Sequence, residues 1–147
     1  MRRVVVTGMG GLTALGNDWP SIRARIDRGE TGIRTMSEWD RFHGINTRLA
    51  GPVERGFLDS RYPRKKMRTM GPVSRMAIFA TERALQDAGL EGDPVIREGR
   101  TGIAYGSCFG SPGPVIAFAE LMTQGASKSL TATSYIQIMS HTRASKF

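Results

Sequence analysis

The sequence predicts an α/β fold, and three observations carry that expectation. Two short apolar runs, at residues 3–7 and 101–106, each open into a glycine cluster. Apolar residues recur at three- and four-residue steps over residues 74–88 and again over 114–124. Short runs with the character of buried strands, separated by helical periods, are the pattern of a sheet covered by helices.

Taken in order, Arg3-Val4-Val5-Val6-Thr7-Gly8 is too short for a helix and rich in β-branched side chains. It reads as a buried strand entering the turn Gly8-Met9-Gly10-Gly11. A helix start follows at Asn17-Asp18-Trp19-Pro20, where Asp18 can cap and Pro20 suits the first turn. Trp19, Ile22 and Ile26 follow at helical spacing, and Gly29 is the stop. Residues 30–60 lack a clear period and form an irregular excursion with one short strand at 47–53. A stronger helix spans residues 74–88, with Val73, Met76, Ala77, Ala80, Ala84 and Ala88 on one stripe and Gly89 as its end. So many alanines on one face imply close approach of another backbone. Residues 100–106 then read as a second buried strand running into the turn from Gly106 to Gly113. A helix over 114–124 stops at Gly125, and residues 133–142 form a short helix with Ile136 and Met139 inward.

Composition narrows the function classes. With 147 residues, 39% hydrophobic and 23% charged, the chain is expected to be one globular domain. No apolar run approaches bilayer length. Met1-Arg2-Arg3 has the charge of a signal peptide without its apolar middle, so a cytoplasmic protein is expected. Cys108 is the one cysteine, which excludes an internal disulfide and a cysteine-rich metal site. His43 and His141 read as ordinary polar residues, so neither a metal nor a cofactor is expected. The formal charge of +8 calls for an acidic partner, either nucleic acid, a membrane surface or an acidic protein.

Three motifs compete for a functional role. Gly8-Met9-Gly10 after a strand is reminiscent of a dinucleotide fingerprint, but Thr13 stands at the third glycine position. The second strand such a fold requires also comes far too late, so the glycines read as a tight turn. Cys108, in a glycine-rich strand-to-helix turn, has the setting of a nucleophile, yet no motif places a histidine beside it. A small packed thiol is the simpler reading. The third is Arg61-Tyr62-Pro63-Arg64-Lys65-Lys66-Met67-Arg68, with five positive charges in eight residues. If the helical turn continues into the helix at residue 74, Arg64, Lys65 and Arg68 are surface neighbours suited to phosphate or carboxylate groups. A solvated basic surface is the plain alternative. Nucleic acid is a poor match, because Tyr62 is the one interleaved aromatic.

Four stretches together resemble the β-ketoacyl-acyl carrier protein synthase (ketosynthase) family. The opening Arg3-Val4-Val5-Val6-Thr7-Gly8-Met9-Gly10, continued by Thr13-Ala14-Leu15-Gly16, is similar to that family's first strand and glycine turn. Asp27-Arg28-Gly29-Glu30-Thr31-Gly32-Ile33 resembles its stretch after the first helix. Pro63-Arg64-Lys65-Lys66-Met67-Arg68-Thr69-Met70, with Ala84-Leu85-Gln86-Asp87-Ala88-Gly89-Leu90, resembles its basic helix start and the end of its alanine-rich helix. Arg100-Thr101-Gly102-Ile103-Ala104-Tyr105-Gly106-Ser107 resembles its next core strand.

The resemblance implies the N-terminal part of a thiolase-like, layered αβαβα fold, incomplete in this chain. It implies condensation of an acyl thioester with malonyl-acyl carrier protein, with loss of carbon dioxide, in fatty acid or polyketide synthesis. It also implies that Arg64, Lys65, Lys66 and Arg68 contact the acidic acyl carrier protein, that Phe109 gates the acyl pocket, and that the full-length family forms homodimers. Catalysis in the family uses a cysteine and two histidines beyond the matched stretches. Cys108 stands where members often have glycine, so no catalytic residue is expected here and the chain is expected to be inactive alone. Residues 143–147 depart from the family's continuation, as a truncated or frameshifted product would. Half a layered fold leaves the apolar faces of residues 3–7 and 101–105 uncovered, so aggregation or a need for a partner segment is expected. The alternative from another class is a non-catalytic basic module that binds nucleic acid or an acidic protein.

Overall fold

The structure, a computed structural model, describes residues 3–107, 111–125 and 129–139. In chain order its elements are α1 (Trp19–Asp27), β1 (Arg34–Thr35), a 3-10 turn at Ser37–Trp39, β2 (Leu49–Ala50), α2 (Leu58–Arg61), α3 (Arg64–Met67), α4 (Pro72–Asp87), a second 3-10 turn at Pro94–Ile96, α5 (Pro112–Gln124) and α6 (Ser134–Ile138).

α1 begins as its sequence dictates. The Asp18 carboxylate accepts the Ser21 N–H at 2.9 Å, and Pro20 lies in the first turn. Asp18 is held below the usual carboxylate range, chiefly by that backbone hydrogen bond. The helix buries little, however. Ile22 is half-buried while Trp19 and Ile26 face outward. The irregular excursion contains the one ladder among the described residues, β1 antiparallel to β2, with Arg34 opposite Ala50 and Thr35 opposite Leu49. The strand expected near residues 47–53 is therefore present, but two residues long.

α4 is the axis of the fold. It starts at Pro72, two residues before the expected start, because proline's missing N–H costs nothing in a first turn. Its alanine row does what small side chains permit. A Cβ on Gly8 would overlap the Ala84 carbonyl and stand 2.6 Å from Ala88 N; one on Gly10 would stand 2.6 Å from Ala84 N. The first glycine turn thus lies directly on Ala80, Ala84 and Ala88, with no room for a methyl group between. The Met9 N–H donates to the Asp87 carboxylate at 2.9 Å across this seat. The glycines open no helix, since α1 begins only at Trp19, so the dinucleotide reading falls.

The core is small. Phe79 is fully buried, with Leu58, Met67, Met70, Ile78 and Ala117 around α4 and its neighbours. Phe79 meets Phe57 edge to face at 5.1 Å, and the Arg61 and Arg83 guanidinium groups lie 5.3 and 5.1 Å from its ring centre. Arg75 of α4 pairs with Asp59 of α2.

Two expectations are corrected. Residues 3–7 and 101–106 read as buried strands, but among the described residues neither enters a ladder, and Val4 and Val6 are 94% and 81% exposed. A strand is made by its neighbour's hydrogen bonds as much as by its own β-branching, and among the described residues neither run has a ladder partner. Tyr105 is held from the side by α4, its hydroxyl donating to the Ala77 carbonyl at 3.0 Å. The second correction concerns the basic cluster, whose helical turn does not run on into α4. Arg68 keeps helical angles, but Gly71 is extended and breaks the path. At the other end, the helix expected over 133–142 is seen as α6, residues 134–138. Ile136 and Met139 are half-buried, and residues beyond 139 lie outside the description.

Candidate functional site

The basic turn is built by a division of labour within eight residues. Met67 and Met70 are buried and anchor it, while Arg64, Lys65, Lys66 and Arg68 all face outward. Pro63 opens α3, its carbonyl accepting the Lys66 and Met67 N–H groups at 2.9 and 3.2 Å. One turn of helix therefore fans four cations over solvent.

Arg61, the fifth charge of the sequence cluster, behaves differently. Its guanidinium donates to Glu82 at 3.0 and 3.2 Å, and the Tyr62 hydroxyl donates to the same carboxylate oxygen at 2.9 Å. The Glu82 hydrogen bond holds Arg61 more firmly protonated than usual. Burial first, then the Glu82 hydrogen bond, pushes the Tyr62 phenol above its ordinary range. Arg61 is thus a strut tying α2 to α4. No sequence feature separated it from the other four.

The four outward cations have no such partner. All 13 Asp and Glu side chains lie in the described residues, and none stands within ion-pairing distance of Arg64, Lys65, Lys66 or Arg68. Five carboxylates elsewhere, Asp27, Glu30, Asp40, Asp59 and Glu82, are engaged by other arginines. Glu30, for example, accepts from Arg28 at 2.6 Å and Arg25 at 2.8 Å and is held below the usual carboxylate range.

Beside the turn opens a cleft of about 580 Å³, lined by Arg68, the start of α5 at Gly113 and Pro114, Ala117, and the hydroxyl-bearing segment from Ser129 to Ser134. It is held to the basic turn at two points. Gln137 donates through Nε2 to the Arg68 carbonyl at 3.3 Å, and Gly71 packs so closely on Ser111 that a Cβ there would overlap its hydroxyl. Ser111 is itself buried and donates its N–H to the Gln137 carbonyl at 3.2 Å. Sequence reasoning missed this cleft, because the segments that line it are far apart along the chain and none carries a motif.

Phe109 and Cys108 lie outside the described residues, as does His141. His43 stands exposed in the excursion before β2. Among the described residues, no group of three His, Cys, Asp or Glu side chains is placed to hold a metal ion. No helix of the described residues is long and apolar enough to cross a membrane.

Comparison with known proteins gives this arrangement its context. The family model described as "Beta-ketoacyl synthase, N-terminal domain" matches residues 1–145. The 3-oxoacyl-[acyl-carrier-protein] synthase 1 of Escherichia coli (strain K12) is 33% identical over 115 residues, covering 76% of this chain and 27% of that protein. The 3-oxoacyl-[acyl-carrier-protein] synthase 2 of Vibrio cholerae is 39% identical over 110 residues, covering 74% of this chain and 26% of that protein. The crystal structure of a β-ketoacyl synthase from Burkholderia phymatum superposes with a TM-score of 0.89 at 46% identity, covering 99% of this chain and 36% of that one. The chain thus spans about a quarter of the length of these curated relatives. Its fold is the expected α/β, thiolase-like one, represented by its N-terminal part. On the match to residues 1–145 and the near-complete superposition, the chain belongs to the β-ketoacyl synthase family.

Proposed function

We propose that residues 1–147 supply the N-terminal scaffold and the carrier-docking surface of a β-ketoacyl-acyl carrier protein synthase. That enzyme is an acyltransferase that condenses an acyl thioester with malonyl-acyl carrier protein, releasing carbon dioxide, in fatty acid or polyketide synthesis. Arg64, Lys65, Lys66 and Arg68 receive the acidic face of the carrier. One observation carries this reading: these four outward cations lie on a single turn, and every Asp and Glu side chain stands out of ion-pairing range of them. An acidic partner meets them at no cost in broken internal pairs. Exposed and hydrated as they are, they speed and orient encounter more than they tighten the complex. Arg64 and Arg68 add forked donors that match a carboxylate.

Phe109 as the acyl-pocket gate belongs to the same proposal, on the resemblance alone. So does homodimer assembly, which the outward Ile116, Phe118 and Met122 of α5 and Tyr135 of α6 support. The acyl-accepting cysteine and paired histidines of the family have no counterpart in Cys108, His43 or His141. A polypeptide of these 147 residues therefore condenses nothing by itself.

The test is association with acidic acyl carrier protein at low and high salt. Lys65→Glu with Arg68→Glu reverses two charges of one unit each, lowering the formal +8 by four. Association slows by about tenfold or more, and the wild-type rate falls with salt. A double variant that binds the carrier as fast as wild type removes the docking surface. Gel-shift titration with single- and double-stranded oligonucleotides addresses the basic-module alternative, which requires binding that the same two reversals abolish. Condensation of acyl and malonyl thioesters by the 147-residue chain alone would remove the claim of inactivity.

A further inference from the structure

We infer that Glu82 is a positioning residue for carrier docking: it fixes the direction of the basic turn, and through it the lifetime of the docked complex. This rests on the docking reading above and adds to it an acidic residue whose bare charge would oppose an acidic carrier. α3 is one turn of four residues, Arg64–Met67, and a helix that short does not hold itself. Its direction is set from its two ends. Downstream, Met67 and Met70 are buried and Gln137 donates to the Arg68 carbonyl. Upstream, a single carboxylate oxygen does the holding. Glu82 Oε2 accepts from Arg61 Nη2 at 3.0 Å, from Arg61 Nε at 3.2 Å and from the Tyr62 hydroxyl at 2.9 Å.

Arg61 and Tyr62 are the last two residues before Pro63, whose ring locks φ at −57 and whose carbonyl starts α3. Little backbone freedom therefore separates the two pinned side chains from Arg64, the first outward cation. The Arg61 guanidinium is held a second way, 5.3 Å from the Phe79 ring centre and 5.8 Å from that of Tyr62. Glu82 itself stands on α4, three residues after the fully buried Phe79, so the clamp refers the turn to the axis of the fold. A turn fixed in this way presents its cations in one arrangement, and less has to be ordered when a partner binds. The gain appears in how long the complex lasts more than in how fast it forms.

Association and dissociation rates of fluorescently labelled acyl carrier protein on the 147-residue chain test it. Glu82→Ala raises the formal +8 by one, and so does Asp18→Ala at the start of α1. Charge alone gives both variants the same small gain in association rate. The clamp requires that Glu82→Ala shorten the lifetime of the complex by about fivefold or more, while Asp18→Ala stays within about twofold of wild type. Arg61→Ala combined with Glu82→Ala restores +8 and dissociates within about twofold of Glu82→Ala, because two halves of one clamp do not add. Glu82→Gln keeps the side chain's shape, loses the charge-assisted bonds and shortens the lifetime in the same direction, which preserves the test if Glu82→Ala fails to fold. Without any carrier, amide exchange at Lys66 and Met67, whose N–H groups bond the Pro63 carbonyl, quickens by about fivefold in Glu82→Ala and not in Asp18→Ala. An unchanged lifetime in the Glu82 variants, equal shortening in Asp18→Ala, or unchanged amide exchange overturns the inference. Lys65→Glu with Arg68→Glu tells the two readings apart. If that pair binds carrier as fast as wild type, the docking surface falls and the inference with it; if it binds slowly while the Glu82 variants keep the wild-type lifetime, the positioning role alone falls.

Discussion

Replacing Gly10 by alanine asks the seat between the first glycine turn and α4 to take one extra methyl group. The added carbon would stand 2.6 Å from Ala84 N and 2.8 Å from Arg83 Cβ, besides overlapping the Ala80 carbonyl. Two of those three neighbours are helix backbone, which cannot rotate aside. Either the segment lifts or α4 bends. Overpacking of this kind costs about 1–3 kcal/mol. Lifting also strains the Met9–Asp87 hydrogen bond of 2.9 Å, an exposed bond whose net contribution is about 0.5–1 kcal/mol. A loss of about 2–3 kcal/mol in all corresponds, at 2–4 °C per kcal/mol, to a melting point lower by roughly 4–12 °C. Gly11 is the internal control, because a Cβ there meets nothing within 4 Å. Gly11→Ala should change stability by no more than about 0.5 kcal/mol. Urea denaturation followed by far-UV ellipticity, with trypsin susceptibility as a second readout, measures both variants. Equal midpoints for Gly10→Ala and Gly11→Ala would show that the turn does not rest on the alanine row.

Other expectations are briefer. Phe79→Ala removes the fully buried ring and its contacts with Phe57, Arg61 and Arg83, with an expected loss of about 3–5 kcal/mol in the same denaturation assay; a loss below about 1 kcal/mol would mean that the core lies elsewhere. Burial and Glu82 raise the Tyr62 pKa, so the folded state favours the neutral phenol. The stability from this group is complete below the ordinary phenol value and is lost as pH rises through the raised one. In a phenolate absorbance titration, Tyr62→Phe identifies the Tyr62 component by deleting it, and Glu82→Gln brings that component to lower pH; no change in either variant contradicts the assigned contact. The outward Val4, Val5 and Val6 lead the isolated chain to self-associate and bind an apolar dye, and Val4→Lys with Val6→Lys reduces both. A monodisperse monomer that binds no apolar dye speaks against that expectation.

How much of this was legible in sequence depends on how local the deciding forces are. The ends of α1 and α5 were readable because caps and stops act over one turn: Asp18 bonds Ser21, and Gly125 takes the left-handed angle at φ +67. The alanine row of α4 announced a close approach without saying what approached, and only the fold put Gly8 and Gly10 there. Arg61 and Arg64 look alike in sequence. They part because Glu82, twenty-one residues further on, reaches one of them. The cleft beside Arg68 had no signal, since its walls meet only in three dimensions.

By itself the sequence determined the helical periods, the helix caps, the excess of positive charge and the motifs that place the chain in its family. These are properties of neighbouring residues and of composition, and backbone sterics or simple counting settles them. The tertiary structure decided which cations are spent on internal struts and which stay outward, where the glycine turn rests, and that residues 3–7 and 101–106 lie without a ladder among the described residues. Ion pairs, close packing and strand pairing each need a second partner brought from elsewhere in the chain, and the position of that partner is not a local property.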